Sequence, residues 1–252
     1  MNLNNRQLLI FDLLKKHHAM TVCSLSEKLC YSASTIRRDL HLLEKENLIR
    51  RTHGGATIIE QTNAEIPLFI RNTKNHIAKE LIGRKASSYI DDGDTLFLDS
   101  STTVLKMIPH FRTKKDLTII TNGLATAKEL SELHSNRVIC TGGTLRDRSL
   151  SFIGEHAKNV LSFYNVDKAF FSAHSISATN GISDVNEDEA IIRRLMISNS
   201  EHSYLLMDSS KFNRISLCHI CSAENVFMLI TEAPFKSTAK WDKLSLNIIE
   251  AY

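Results

Sequence analysis

Apolar residues at helical spacing predict three short helices in the first fifth of the chain. We expect them over residues 5 to about 16, 24 to about 30 and 35 to about 46. Asn4 or Asn5 can cap the first helix, and Ser32 or Ser34 can cap the third. Ser24-Leu25-Ser26-Glu27 has the spacing of a capping box and opens the second. The inward face of the third helix repeats at i, i+4 and i+7 and consists of Ile36, Leu40 and Leu43.

The same periodicity leaves the first half of the third helix polar and exposed. Its outward residues are hydroxylic or cationic: Ser34, Thr35, Arg37, Arg38 and His41. Two β-prone runs follow at 48–52 and 56–59, and the glycine pair between them predicts a hairpin. This hairpin carries Arg50, Arg51 and His53.

Three helices followed by a basic hairpin are typical of a winged helix-turn-helix, with the helix-turn-helix at about 20–39. In such a reader, Arg, Ser and Thr of the third helix contact bases or phosphates in the major groove, and the wing contacts phosphates. From periodicity alone, a three-helix protein-interaction module with a solvated basic face is the alternative.

Beyond residue 75, apolar runs of strand length alternate with helical segments. Residues 60–75 lack periodicity and contain Pro67, so we interpret them as a linker. We expect three helices here: one at about 74–90, one that follows residue 103, and one that follows residues 122–123 and ends at about 133. We expect strands at 95–99, 117–121, 137–140, 168–172, 203–207, 226–231 and 246–249. This alternation predicts an α/β fold, a mainly parallel sheet with helices on both faces.

Small and polar residues collect where the predicted strands end. Asp99-Ser100-Ser101-Thr102-Thr103, Thr141-Gly142-Gly143 and Asp208-Ser209-Ser210-Lys211-Phe212 each follow a strand. Ligands of parallel sheets bind at this edge, and backbone N–H groups, hydroxyls and one ammonium suit an anion. Helix capping is the alternative explanation for serines and threonines at these positions.

Composition narrows the function classes. The 252 residues carry a net charge of +3, and the excess lies in residues 1–60, which hold nine Lys or Arg against six Asp or Glu. A basic small domain favours a polyanionic partner at that end. No apolar run is long enough to span a bilayer and the first residues lack a secretory pattern, so we expect a cytoplasmic protein. Five scattered cysteines predict neither disulfides nor a metal site, and we expect no cofactor.

Several of these segments together resemble the DeoR family of bacterial transcription regulators. Arg6, Ile10, Leu14 and the run Ser32-Ala33-Ser34-Thr35-Ile36-Arg37-Arg38-Asp39-Leu40 resemble its helix-turn-helix signature, and Arg51-Thr52-His53-Gly54-Gly55-Ala56 resembles its wing. The strand-end motifs and Asn186-Glu187-Asp188-Glu189-Ala190 resemble its C-terminal sensor domain.

This resemblance implies a sensor fold similar to ribose-5-phosphate isomerase, and a repressor of operator DNA that responds to a small metabolite such as a phosphorylated sugar. It implies a DNA-binding domain at 1–59, a linker at 60–75 and an effector-sensing, oligomerising domain at 76–252. The implied pocket comprises Asp99, Ser100, Thr102, Thr103, Asn122, Gly142, Gly143, Glu189 and Lys211. Lys211 would bind phosphate, Glu189 and Asp99 would accept hydroxyls, and Asn122 would donate and accept.

Departures from the family pattern keep alternatives open. Ser101, Ser172 and Ser175 stand where relatives commonly have glycine, and His174 where a carboxylate is common. A Cβ restricts positive φ and close backbone approach, so a regulator with a vestigial pocket is one alternative. A sugar-phosphate isomerase-like enzyme using Asp99, His174, Glu189, Asp208 and Lys211 is another, and a structural interaction protein is a third.

Overall fold

The computed structural model describes residues 3–46, 48–59, 66–133, 136–235 and 241–252. Its contacts separate two compact units, Met1–Ala64 and Glu65–Tyr252. The first contains, in chain order, α1 (Asn5–His17), β1 (Ala19–Thr21), α2 (Val22–Leu29), α3 (Ala33–Lys45), β2 (Ile49–Thr52) and β3 (Gly55–Ile58). The strands form an antiparallel sheet in the order β1-β3-β2. The predicted winged helix-turn-helix is therefore confirmed.

Local capping explains where these helices begin. Asn4 caps α1 in a reciprocal capping box with Gln7, and Ser32 caps α3 by accepting from Thr35 N. The capping box expected at Ser24 is wrong, because α2 begins two residues earlier and Thr21 accepts from Ser24 N at 3.1 Å. Strand β1 was not expected, since its partner β3 lies more than thirty residues away.

The second unit alternates strands and helices, as expected for an α/β fold. Its helices are α4 (Leu68–Thr73), α5 (His76–Ser87), α6 (Thr102–Leu105), α7 (Leu124–Ser131), α8 (Glu155–Ser162) and α9 (Glu187–Ser198), with 3₁₀ turns at Ile108–Thr113, Ser209–Lys211 and Ala223–Asn225. Its strands are β4 (Thr95–Leu98), β5 (Thr118–Thr121), β6 (Arg137–Cys140), β7 (Thr144–Arg146), β8 (Ser151–Ile153), β9 (Val166–Phe171), β10 (Ser175–Ser177), β11 (Gly181–Asp184), β12 (Ser200–Leu206), β13 (Cys218–Cys221), β14 (Met228–Glu232) and β15 (Ile248–Ala251).

Within the described residues, seven strands form one parallel sheet in the order β15-β14-β12-β9-β4-β5-β6. Side chains of β4 alternate between the two cores, Leu96 and Leu98 in one and Phe97 in the other. Helix α5 covers the first face, and α8 and α9 cover the second. The chain leaves β4 toward β5 and later returns to β9 on its other side. The crevice between β4 and β9 is thus the topological switch point, where ligands of such sheets bind.

The region interpreted as a linker contains a helix in its described part. Residues 60–65 lie outside the described residues, and the remainder includes α4, whose Leu68 and Ile70 are buried. Leu68 N donates to Arg148 O at 2.7 Å, which joins this helix to the second unit. Tertiary packing therefore orders a segment that Pro67 and weak periodicity left without a predicted helix.

Two small antiparallel sheets extend the parallel one. Strand β7 pairs with β8, and β11 lies between β10 and β13. Their three- and four-residue strands are too short to show alternation, so the sequence predicted neither sheet. No helix among the described residues is long and apolar enough to cross a membrane.

Candidate functional site

Helix α3 has one buried face and one cationic face. Ile36, Leu40 and Leu43 are buried, as predicted. On the other face Ser34, Arg37, Arg38 and His41 are exposed and Thr35 is half-buried. Ser32 Oγ lies 2.9 Å from Ser34 Oγ and 2.8 Å from Thr35 Oγ1. Arg37 and Arg38 have no side-chain partner among the described residues, so both guanidinium groups are free to meet a ligand.

The hairpin is fastened to α3 by one of its arginines. Arg51 N donates to Glu44 Oε1 at 2.9 Å, and Arg51 Nη1 lies 3.5 Å from His41 Nδ1. Arg50 and His53 are exposed on the same hairpin. Gly55 is required where β1 and β3 meet, because a Cβ there would lie 2.1 Å from Met20 O. The hairpin therefore holds a fixed position beside the exposed face of α3.

The sequence motif also contains a structural group whose role the spacing did not reveal. Asp39 is buried in α3 and accepts from Arg6 Nε at 2.5 Å and from Gln7 Nε2 at 3.0 Å. The Arg6 guanidinium also lies 4.8 Å from the centre of the Tyr31 ring. Two signature residues, Arg6 and Asp39, thus join α1 to α3 and orient the exposed face.

In the second unit, Asp99 connects the two strands that border the switch point. It follows β4 and is buried, with Oδ1 accepting from Ser101 N at 2.9 Å. Its Oδ2 accepts from Ser172 N, after β9, at 3.1 Å and from Arg193 Nε at 3.2 Å. The carboxylate predicted to accept a ligand hydroxyl therefore already holds both loops in place.

Arg193 in α9 is a buried cation surrounded by three carboxylates. Besides Asp99, Arg193 Nη1 lies 3.1 Å from Asp184 Oδ2 and 3.4 Å from Glu189 Oε2. Burial alone would lower the pKa of the guanidinium, but the three carboxylates outweigh it and raise the pKa. Arg193 was not among the predicted site residues, because its partners lie up to 94 residues away in the chain.

Glu189 belongs to the same network. Its Oε1 accepts from Arg146 Nη1 at 3.1 Å and from the hydroxyl of Ser151. Burial would raise the pKa of this carboxyl, but Arg193, Ser151 and Arg146 together lower it. Glu189 is therefore an ionised structural acceptor close to β8.

Lys211 lies in the turn after β12 and reaches the loop that follows β9. Its Nζ donates to Ser172 Oγ at 2.9 Å and to Ala173 O at 2.8 Å. Burial lowers the pKa of Lys211, although Asp208 acts in the opposite direction. Ser172, where relatives commonly have glycine, thus binds the ammonium group directly and links it to Asp99.

The Ser100–Thr103 turn abuts the turn that follows β5. A Cβ on Gly123 would lie 2.9 Å from Ser100 Cα, so this glycine allows the two turns to touch. Asn122 Nδ2 donates to Phe152 O at 3.2 Å, whereas Asn122 Oδ1 and Thr103 Oγ1 are buried without a hydrogen-bond partner among the described residues. Such atoms are costly to leave unsatisfied, so these two are candidates for contacts to a ligand.

The serine at position 101 causes no backbone strain. Its φ is −78° and its hydroxyl accepts from Val104 N at 3.3 Å, which caps α6. Ser172 and Ser175 likewise avoid positive φ. Gly142 and Gly143 do have positive φ, but a Cβ on Gly143 would lie 2.6 Å from Ile153 O. Gly143 therefore allows β7 and β8 of its own hairpin to pack closely. Among the described residues, no hydrogen bond joins Gly142 or Gly143 to Asp99 or Lys211.

His174 lies at the edge of the same loop and is only partly shielded from solvent. Its Nδ1 is 3.0 Å from Ser216 Oγ and 3.2 Å from Ser175 Oγ, and the two hydroxyls are 2.8 Å apart. Burial of the ring lowers its pKa, with Asp184 acting in the opposite direction. The ring therefore serves as a hydrogen-bonding group to two serine hydroxyls at the edge of the loop.

Lys79 in α5 was missed by the sequence reasoning although a signal was present. It occupies the apolar stripe of its helix, three residues before Ile82 and seven before Ala86, and is only 4% exposed. Its Nζ donates to Arg71 O. Burial is the main reason that its pKa falls to about 7. A lysine at the buried position of an amphipathic helix is thus an anomaly that spacing alone could have identified.

Comparisons with known proteins cover both units. Residues 6–62 match the model of the DeoR-like helix-turn-helix domain, and residues 74–233 match that of the DeoR C-terminal sensor domain. The chain is 39% identical to the HTH-type transcriptional regulator YulB of Bacillus subtilis, over 90% of this chain and 88% of the relative. It is 32% identical to the glycerol-3-phosphate regulon repressor of Escherichia coli, over 89% of each. Ribose 5-phosphate isomerase A of Methanocaldococcus jannaschii has a similar fold over 55% of each chain, with a TM-score of 0.41 and 15% identity.

Proposed function

Because the chain belongs to the DeoR family of transcription regulators, we propose that it is a repressor whose binding to operator DNA is controlled by a phosphorylated small metabolite. The observation that carries the DNA-binding part is the exposed face of α3, where Arg37 and Arg38 have no protein partner among the described residues. Relatives include the glycerol-3-phosphate regulon repressor of Escherichia coli, which supports an effector of the same chemical class. The protein would act in the cytoplasm, where operator DNA is accessible.

We assign base reading to α3 and phosphate contacts to the hairpin. Ser34, Thr35, Arg37, Arg38 and His41 form the reading face in this proposal, and Arg50, Arg51 and His53 contact phosphates. An Arg that pairs with a guanine contributes about 1–3 kcal/mol of discrimination, whereas a phosphate contact affects all sequences alike.

Binding isotherms test this assignment on duplexes selected from a random pool by the full chain. We expect Arg38→Ala to weaken the selected duplex by about 1–3 kcal/mol and to alter preference at one base pair. Arg50→Ala should weaken all duplexes and reduce the salt slope by about one. Lys45→Ala, in the last turn of α3, is the control. Unchanged affinity in Arg38→Ala would contradict the recognition-helix assignment.

The effector site, in this proposal, lies at the carboxyl ends of β4, β5, β9 and β12. Lys211 would bind the phosphate, and Ser100, Thr102, Thr103 and Asn122 would line the site. Support comes from Thr103 Oγ1 and Asn122 Oδ1, which are buried without a hydrogen-bond partner in the described part of the chain, and from the ammonium of Lys211. Asp99 and Glu189 would position the loops rather than bind the ligand, and Gly142 and Gly143 would shape the neighbouring hairpin.

Thermal shift with a panel of sugar phosphates and their unphosphorylated sugars tests the effector class. A ligand that binds only the folded form at 100 times its Kd stabilises the protein by about 2.7 kcal/mol. Lys211→Ala should remove the shift and Arg38→Ala should retain it. Equal shifts by sugars and their phosphates, unaffected by Lys211→Ala, would refute the anion site.

We propose further that the site binds its ligand without turnover. The relatives are transcription regulators, and the two carboxylates of the implied pocket are poor general bases. Asp99 already accepts three N–H groups, and the lowered pKa of Glu189 makes it a weak base. Incubation with aldose phosphates followed by NMR should show no ketose product, and any isomerisation above the uncatalysed rate would contradict this.

We propose that the protein is a homo-oligomer assembled through residues 76–252. Two of its DNA-binding domains would then contact symmetric half-sites. A single head offers a small interface, and dimers contact half-sites about one helical turn, or a multiple of it, apart. Light scattering of the full chain at micromolar concentration should give at least a dimer. A monomer bound to a single half-site would contradict it.

A further inference from the structure

Helix α5 brings Lys79 next to the turn that carries Lys211. At the start of α5, Asn75 Nδ2 donates to Asp208 Oδ1 at 2.7 Å and to Ser210 Oγ at 3.0 Å. Farther along, α5 packs on α6 at Gly83, where a Cβ would lie 2.6 Å from the carbonyl carbon of Lys106. The helix therefore runs from the Asp208 turn to the element that holds Thr103. Lys79 lies between these two contact points.

The buried ammonium group of Lys79 thus lies near that of the half-buried Lys211, whose charge acts on it, and neither forms an ion pair among the described residues. Neither Lys79 nor Lys211 has a carboxylate oxygen within 4 Å among the described residues, and each donates only to hydroxyl or carbonyl oxygens. By contrast, Lys106, directly after α6, is paired with Glu80 at 3.0 Å. Buried charges in proteins are normally paired. An anion between the two lysines would supply the missing charge.

We propose that Lys79 is the second cation of the effector site and that, with Lys211, it binds a doubly charged phosphate ester while taking up a proton. This inference rests on the proposed function of that site. It adds a residue that the sequence motifs do not contain and a dependence of binding on pH near neutrality.

The charges around Lys79 determine the direction of this pH dependence. Lys211 on the turn after β12, and Arg71 and Lys74 before α5, disfavour its protonation, while Asp208 favours it. Burial is the largest effect, and the resulting pKa is about 7. A bound dianion favours the ammonium form and raises that pKa. Affinity is therefore greatest below about pH 7 and falls as the pH rises through it, toward tenfold per unit.

Calorimetry with sulfate tests the proposal on the full chain, because sulfate remains doubly charged over the whole range. We expect the Kd for sulfate to rise toward tenfold between pH 7.5 and 8.5. Titrations in buffers of different ionisation enthalpy should show uptake approaching one proton per sulfate at pH 8. The same titration of Lys211→Met measures how much sulfate binds to other parts of the protein.

Lys79→Met should weaken sulfate binding about tenfold at pH 6.5 and remove the pH dependence between 7 and 8. Lys85→Met, six residues along the same helix beside Tyr89, is the matched control and should behave as the wild type. If Lys79→Met does not fold, proton uptake on sulfate binding by the wild type becomes the test of the proposal. Sulfate binding without proton uptake would overturn it.

The two proposals fail differently. Sulfate binding that needs Lys211 but is unchanged by Lys79→Met, with no proton uptake, overturns the role of Lys79 and leaves the effector site standing. Absence of binding in both wild type and Lys85→Met, for sulfate and for sugar phosphates, contradicts the effector site itself.

Discussion

Some polar side chains of the candidate site are available to a ligand, whereas others are already engaged in holding the site together. Asp99 and Glu189 are carboxylates at strand or helix ends, and their positions were predictable from the sequence. The engagement of Asp99 with Arg193 was not, because a hydrogen bond between residues 94 positions apart leaves no local pattern. Ser101 shows the reverse error: a strain expected from the loss of glycine is absent, because φ is −78°.

Removal of Arg193 should destabilise the second unit strongly. Arg193→Met leaves three buried carboxylates without their cation, which costs about 3–5 kcal/mol. Urea unfolding followed by the fluorescence of Trp241, the only tryptophan, measures this. Arg194→Met, exposed and next in the chain, should change stability by less than about 1 kcal/mol. Equal effects of the two variants would show that the network contributes nothing beyond an exposed arginine.

The cap at Ser101 can be tested by substitution of its side chain. Ser101→Ala removes the acceptor for Val104 N and should cost about 1 kcal/mol, while Ser101→Gly should cost only a few tenths. The same urea titration ranks the three proteins. A larger loss for glycine than for alanine would mean that the hydroxyl is not a cap.

At the scale of elements, long apolar patterns were predictable and short strands were not. Helix α3 and strands β4, β5 and β6 lie within two residues of their expected bounds. Strands β7, β8 and β10 are each three residues long and pair with close neighbours along the chain, so they are too short to show an alternating pattern. Helix α2 begins earlier than expected, because Thr21 competes successfully with Ser24 as the cap.

Because Arg6 and Gln7 of α1 bind Asp39 of α3, we expect that DNA binding can be weakened without removal of a residue that contacts DNA. Asp39→Ala leaves Arg6 and Gln7 without their shared acceptor and should destabilise the first unit by about 1–3 kcal/mol. Operator affinity should fall with it, but base preference should not change. Asp12→Ala, exposed on α1, is the control. A change in preferred sequence for Asp39→Ala would assign this residue to base reading instead.

For the whole molecule, burial of Lys79 links stability to pH. Its pKa is about 7 in the folded chain against 10.5 ordinarily, so between these values the unfolded chain binds more protons. The free energy of unfolding should therefore rise with pH, by on the order of 3 kcal/mol from pH 7 to 9.5. Urea titrations followed at Trp241 should show a smaller rise in Lys79→Met than in Lys85→Met. Parallel curves would contradict a lowered pKa.

The order of the seven described sheet strands has a consequence for synthesis on the ribosome. Strand β4 emerges first and lies in the middle; β5 and β6 then add on one side, and β9, β12, β14 and β15 add on the other. Every new strand can join an existing edge, and none must be inserted between strands already paired. Unpaired edges invite association with other chains. The growing sheet therefore exposes the edge of β4 until β9 begins at Val166, and then the edge of β9 until β12 begins at Ser200.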